Sequence, residues 1–136
     1  MKRPKTTTLV IASLVLTVGV AVGGYYLIQK RANEIGTIVV PELSAEARRG
    51  EIAFQNYCMV CHGENARGTD KGPPLLNRIY SPSHHSNVSF SRAVTLGARQ
   101  HHWLFGDMPP LPQVGRENID LIIIYMRELQ KANGIL

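Results

Sequence analysis

The sequence predicts a small all-α domain that follows a single transmembrane helix. Three observations predict this fold class. Beyond residue 43, apolar residues recur at helical spacing, with no convincing strand and no internal repeat. Residues 9–28 carry no charged side chain, and a chain of 136 residues has room for one modest domain and an appendage. We therefore divide the chain into an anchor at 1–30, a linker at 31–43 and a domain at 44–136.

The uncharged run is long enough, as a helix, to cross a hydrocarbon layer of about 30 Å. Lys2, Arg3 and Lys5 precede it, and such a positive flank stays on the cytoplasmic side. We therefore expect a single-pass protein of the bacterial inner membrane with its domain in the periplasm. A cleaved signal peptide is the alternative, although the run is longer than a usual signal core of about 7–15 residues.

Three helices are expected in the domain: 44–58 with Ser44 as N-cap, 90–96, and 116–132. A loop rich in glycine and proline, at 63–82, separates the first two. Glycine follows the second helix directly and the third within two residues, as is typical of helix ends.

The charge distribution argues against a nucleic-acid partner. The formal net charge is +5, but four of the basic residues flank the uncharged run. Residues 31–136 carry 11 Lys and Arg against 10 Asp and Glu, so the domain is close to neutral. A nucleic-acid-binding domain would instead concentrate basic residues on one face.

The two cysteines of the chain, Cys58 and Cys61, form a C-x-x-C-H motif with His62. This motif is the attachment sequence of c-type haem. Two thiols three positions apart lie near one another on a turn, so each can form a thioether with a neighbouring vinyl group of one haem. The histidine then supplies an imidazole to the iron. We predict one haem c, covalent through Cys58 and Cys61, with His62 as an iron ligand.

Three other interpretations of the cysteines compete with haem attachment. A thioredoxin-like dithiol would follow a strand, whereas a helical segment leads into this pair. A zinc site needs two further ligands, for which the only pairs are His84 with His85 and His101 with His102, and their spacing fits no common template. Idle surface thiols are not expected in an exported domain, where they would oxidise.

With this motif the domain resembles the class I c-type cytochromes, from Ser44 to Ile135. The segment Gly72-Pro73-Pro74-Leu75 is similar to the G-P-x-L loop of that family. The resemblance implies a small cytochrome c fold around one covalent haem. It also implies that the Pro73 carbonyl accepts the ring N–H of His62 and that Leu75 packs on the haem.

Met108 lies in the sequence Gly106-Asp107-Met108-Pro109-Pro110, which matches the methionine that is the sixth iron ligand in that family. Met59 and Met126 fit ordinary packing better. We expect Trp103 to pack against the haem edge or a propionate.

The family also crosses its first and last helices at a contact of glycine with aromatic residues. Gly50 and Phe54, with Ile122 and Tyr125, match that arrangement.

The four histidines of the two pairs are expected to be solvated loop residues. A sharper hypothesis is that His101 or His102 replaces Met108 when it leaves the iron, or that the pairs bind an adventitious metal.

An iron held by His62 and Met108 has no open position, so the resemblance implies an electron carrier, not an enzyme. The implied partners are the membrane and redox complexes, such as a quinol-oxidising cytochrome complex, a terminal oxidase or a reaction centre. The chain is a tethered carrier or a fixed subunit, and neither nucleic acid nor a small-molecule substrate is expected. The alternatives are a haem enzyme or a gas or redox sensor, either of which needs an open iron position, and a purely structural anchor subunit.

Overall fold

The structure is a computed structural model that describes residues 15–27 and 37–135. The chain divides into two units, with the boundary between Thr37 and Ile38. In the first unit, residues 15–27 form helix α1, whose side chains are exposed.

Part of the predicted transmembrane run, residues 9–14 and residue 28, lies outside the described residues. Within the described part of the chain, no helix has both the length and the apolar character needed to cross a bilayer. The membrane anchor and the bounds of the three proposed segments therefore stay predictions.

The second unit is helical, which confirms the predicted all-α class. Its helices are α2 (Ala45–Tyr57), α3 (Met59–His62), α4 (Asn87–Leu96) and α5 (Arg116–Ala132), with 3₁₀ turns at Glu64–Ala66 and Arg78–Tyr80. Over residues 37–135 there is no strand, and an isolated antiparallel bridge joins Ala98 to Met108.

The first and last predicted helices of this unit begin and end within a residue of their expected positions. Ser44 is the N-cap of α2, as predicted, since its hydroxyl accepts a hydrogen bond from the Ala47 N–H at 3.1 Å. Helix α4 begins at Asn87, three residues before the prediction, because Ser86 caps it by accepting from the Ser89 N–H. The predicted start at residue 90 was therefore wrong.

Helices α2 and α5 cross at Gly50, where their backbones come into direct contact. A Cβ atom on Gly50 would lie 2.0 Å from the carbonyl oxygen of Leu121. Beside it, the rings of Phe54 and Tyr125 pack with their centroids 5.6 Å apart. The contact was predicted, but Gly50 meets Leu121, whereas Ile122 lines a cavity.

The end of the predicted linker belongs to this helical unit. Val39 and Asn133 exchange two hydrogen bonds, from the Val39 N–H to Oδ1 at 2.9 Å and from Nδ2 to the Val39 carbonyl at 2.8 Å. Leu43 is buried in the core. The chain is thus held against the end of α5 before α2 begins.

Candidate haem site

An apolar cavity of about 450 Å³ opens within the second unit. Its walls include core side chains of α2, α4 and α5, among them Phe54, Val94 and Ile122. The predicted site residues that line it are Cys58, His62, Pro73, Leu75, Trp103 and Met108. Cys61 is half-buried and is not part of the lining. The volume lies in the range of about 300–1,000 Å³ that cofactor sites usually have.

Cys58 lies between α2 and α3, where its carbonyl accepts hydrogen bonds from both Cys61 and His62. This single turn places the three residues of the motif beside one another. Burial, followed by the charge of Cys61, raises the pKa of the Cys58 thiol to about 11. A catalytic dithiol needs a readily ionised cysteine, so this environment disfavours the thioredoxin-like interpretation.

His62 is oriented by one hydrogen bond. Its Nδ1 donates to the carbonyl oxygen of Pro73 at 2.9 Å, and a carbonyl can only accept, so the proton must lie on Nδ1. Burial lowers the pKa of His62, which keeps the ring neutral, while the bond to Pro73 acts in the opposite direction. The other ring nitrogen, Nε2, therefore has a free lone pair for a metal.

The loop that carries Pro73 is fastened to the cysteine motif at several points. The Gly68 N–H donates to the His62 carbonyl at 2.6 Å, and the Thr69 hydroxyl donates to the Cys61 carbonyl at 2.6 Å. Gly72 approaches so closely that a Cβ atom there would lie 2.9 Å from the Cys61 carbonyl oxygen. Sequence reasoning did not assign this role to Thr69.

Met108 is held in place through its backbone. It exchanges two hydrogen bonds with Ala98, one from each N–H, at 2.8 and 3.0 Å. Gly97, predicted as a helix end, also permits this pairing, because a Cβ atom there would lie 2.6 Å from the Met108 carbonyl oxygen. The thioether is thus presented to the cavity by a closed loop.

Trp103 lines the cavity and has a buried ring N–H without a hydrogen-bond partner among the described residues. Burial raises the pKa of Tyr80, and the nearby indole of Trp103 acts in the opposite direction. The indole N–H nevertheless does not meet the geometry of a hydrogen bond to the Tyr80 hydroxyl. Buried N–H groups are nearly always paired. A haem propionate would supply the missing acceptor, so this atom fits the predicted group.

Two polar residues of α5, the half-buried Arg127 and the buried Gln130, hold the loops that border the cavity. Arg127 donates to the carbonyls of Tyr80 and His85, and its guanidinium lies 4.8 Å from the centre of the Phe90 ring. Gln130 donates to the carbonyls of Leu75 and Tyr80, at 3.2 and 3.0 Å. Sequence reasoning missed both, although their position beside the apolar face of α5 could have indicated them.

Replacing Gln130 with leucine should lower the free energy of unfolding by about 1–3 kcal/mol, because the Leu75 carbonyl is left without its side-chain donor and the Tyr80 carbonyl loses one of two. Denaturant unfolding of the haem-loaded protein measures the change. Gln113→Leu is the control, since that side chain is exposed. Equal midpoints for the two variants would contradict this role.

The two histidine pairs meet at the edge of the cavity. His84, His101 and His102 are exposed, as expected of loop residues, and His85 is half-buried. Their ring centroids lie 4.2–5.9 Å apart in the pairs that make contact. The sequence did not predict that the pairs come together.

A family model described as "Cytochrome c" matches residues 47–130 of the chain. The match covers the cysteine motif, the Pro73 loop and Met108. No curated protein and no solved structure matches the chain.

Proposed function

The chain belongs to the cytochrome c family, and from that premise we propose that it is a membrane-anchored carrier of single electrons. The family carries haem c bound covalently, and Cys58 and Cys61 have the spacing of its attachment motif. Haem-based electron transfer follows from the family. The anchor, the site residues and the partners are our proposal.

The observation that supports it most is the meeting of a thiol, an imidazole and a thioether at one apolar cavity: Cys58, His62 and Met108. His62 and Met108 are the residues we assign to the iron, and Cys58 and Cys61 to the thioether bonds. The bond from His62 to Pro73 fixes the tautomer that offers Nε2 as a ligand. Leu75 and Trp103 line the cavity and are assigned to contact with the haem.

This set of side chains favours a carrier over an enzyme. Haem c supplies reversible one-electron chemistry when bound. If His62 and Met108 both hold the iron, no position would remain open for peroxide or a gas. Because its lining is largely apolar, the cavity disfavours water beside the bound group.

The anchor places this chemistry at a membrane surface. The uncharged run at 9–28 and its positive flank support a single span with the haem domain in the periplasm. The linker is short, and Val39 within it is hydrogen-bonded to Asn133 at the end of α5. The partners are thus redox complexes of the same membrane: a quinol-oxidising cytochrome complex as donor, and a terminal oxidase or reaction centre as acceptor.

Replacing residues 1–30 with a cleavable export signal should move the haem-loaded protein from the membrane to the soluble periplasmic fraction. The absorption spectrum should stay the same, because residues 15–27, the part of this segment that the structure describes, do not line the cavity. Cell fractionation with haem detection measures this. A full-length chain that a high-salt or carbonate wash releases would contradict the anchor.

Electron transfer is tested in native membranes that contain the full-length protein. A quinol donor should reduce the haem, and oxygen or an oxidised reaction centre should reoxidise it. The reduced haem should not bind carbon monoxide. A haem that stays oxidised with quinol, or that binds carbon monoxide readily, would contradict the carrier.

A further inference from the structure

A cluster of histidines beside the cavity has no role in the proposed function. His84 and His85 lie in the turn that follows Arg78–Tyr80, and His102 lies in the loop between α4 and Met108. One ring nitrogen from each of these three residues lies within 4.8 Å of the others. Three neutral imidazoles at such distances are the ligand set of a transition-metal ion such as zinc.

The separation of His84 from His102 suits tetrahedral coordination. His84 Nε2 and His102 Nε2 are 3.4 Å apart, longer than a usual hydrogen bond of about 2.7–3.2 Å. Two nitrogens at about 2.0–2.1 Å from one ion are separated by roughly 3.3–3.4 Å at the tetrahedral angle, and by only about 2.9 Å at a right angle. The observed distance is therefore compatible with two ligands of a tetrahedral Zn²⁺ ion.

The third imidazole is already oriented for coordination. His85 Nδ1 donates to the Ile79 carbonyl at 2.6 Å, which leaves Nε2 with its lone pair. Zinc-bound histidines are usually oriented by such a bond from the second ring nitrogen.

The backbone of the turn is held as well. The N–H groups of His84 and His85 both donate to the Ser81 carbonyl, and the His85 carbonyl accepts from Arg127. Arg127 thus connects the turn to helix α5. The fold therefore positions the backbone of the turn that carries two of the three ligands before any ion arrives.

We propose that His84, His85 and His102 form a binding site for one Zn²⁺ ion. A water molecule completes the four-coordinate shell. The ion cross-links two loops that are distant in sequence, and the second of these loops closes on Met108 through the Ala98 bridge. Zinc binding therefore stabilises the loop that presents the thioether to the cavity.

His101 is outside the ligand set and serves as the matched control. Its ring lies next to that of His102, with centroids 4.2 Å apart, and its Nδ1 donates to the Arg99 carbonyl at 2.7 Å. It is exposed like His84 and His102. His101 therefore has the same side chain and similar surroundings, but it is not one of the three histidines whose ring nitrogens come together.

The test uses the full-length haem-loaded protein, treated with a chelator and titrated with Zn²⁺ in a calorimeter. We expect one ion per chain and no binding of Mg²⁺. His84→Asn and His102→Asn should each weaken Zn²⁺ binding at least about tenfold, because loss of even an outer-shell partner costs that much. His101→Asn should leave the affinity unchanged.

An unchanged visible spectrum of each variant would show that the haem domain is intact, so that weakened binding could not be a folding defect. Zinc-edge X-ray absorption should show three imidazole nitrogens at about 2.0–2.1 Å. The proposal is overturned by a wild-type chain that binds no stoichiometric zinc, or by a His101→Asn variant that loses as much affinity as the other two. Because the readout is zinc binding, failure here leaves the test of electron transfer unaffected.

Discussion

Replacing Met108 with alanine should lower the reduction potential of the haem by more than about 100 mV, since axial ligands set haem potentials over a range of about 0.8 V. The thioether stabilises the reduced iron, and an alanine cannot replace it. The backbone pairing of Met108 with Ala98 does not use the side chain, so the loop should keep its conformation. Redox titration measures the potential.

Met59→Ala is the matched control for this variant. Met59 lies inside the cysteine motif, but its side chain is 39% exposed and does not line the cavity. Its replacement should leave the potential unchanged. The Met108 variant should also bind carbon monoxide when reduced, which the Met59 variant should not. A Met108 variant with the original potential would mean that another residue, such as His101 or His102, already holds the iron.

Replacing Gly50 with alanine should cost about 3 kcal/mol or more in the free energy of unfolding, at the upper end of overpacking effects. The added Cβ atom would lie 2.0 Å from the Leu121 carbonyl oxygen and 3.0 Å from the Cβ of Tyr125. The first of these is backbone and cannot rotate away, so α2 and α5 must separate. Because domains are stable by about 5–15 kcal/mol in total, this is a large share of the stability.

Denaturant unfolding of the haem-loaded protein measures this cost. Gly115→Ser is the control, because nothing lies within 4 Å of a Cβ at Gly115 and serine is a better N-cap for α5. That variant should be as stable as the original protein or slightly more so. Equal stability of the Gly50 and Gly115 variants would mean that α2 and α5 do not cross as closely as the structure has them.

Local signals were sufficient to predict much of the fold. The Ser44 cap and the apolar spacing of residues 116–132 predict helices because each depends on residues within a few positions of one another. Helix α4 was placed three residues late, because a serine before a polar stretch gives a weaker signal than an apolar face. The N-cap role of Ser86 depends on the conformation of the preceding loop, which the sequence does not predict.

The site divides in the same way. Cys58, Cys61 and His62 lie within five positions of one another, so the sequence alone predicts their role in haem attachment. Gln130 donates hydrogen bonds to the carbonyls of Leu75 and Tyr80, which precede it by 55 and 50 positions. Only the packing of α5 brings these residues together. The meeting of His84 with His102, 18 positions apart, likewise depends on two loops that no local pattern connects.

The most direct test of the central claim is the mass of the purified full-length protein after denaturation and extraction with acidified organic solvent. Thioether bonds survive this treatment, and coordination to His62 and Met108 does not. We predict that the haem absorbance stays with the polypeptide and that the mass of the polypeptide exceeds that of the bare chain by one haem. Haem that passes into the solvent, with a polypeptide of unmodified mass, would contradict covalent attachment.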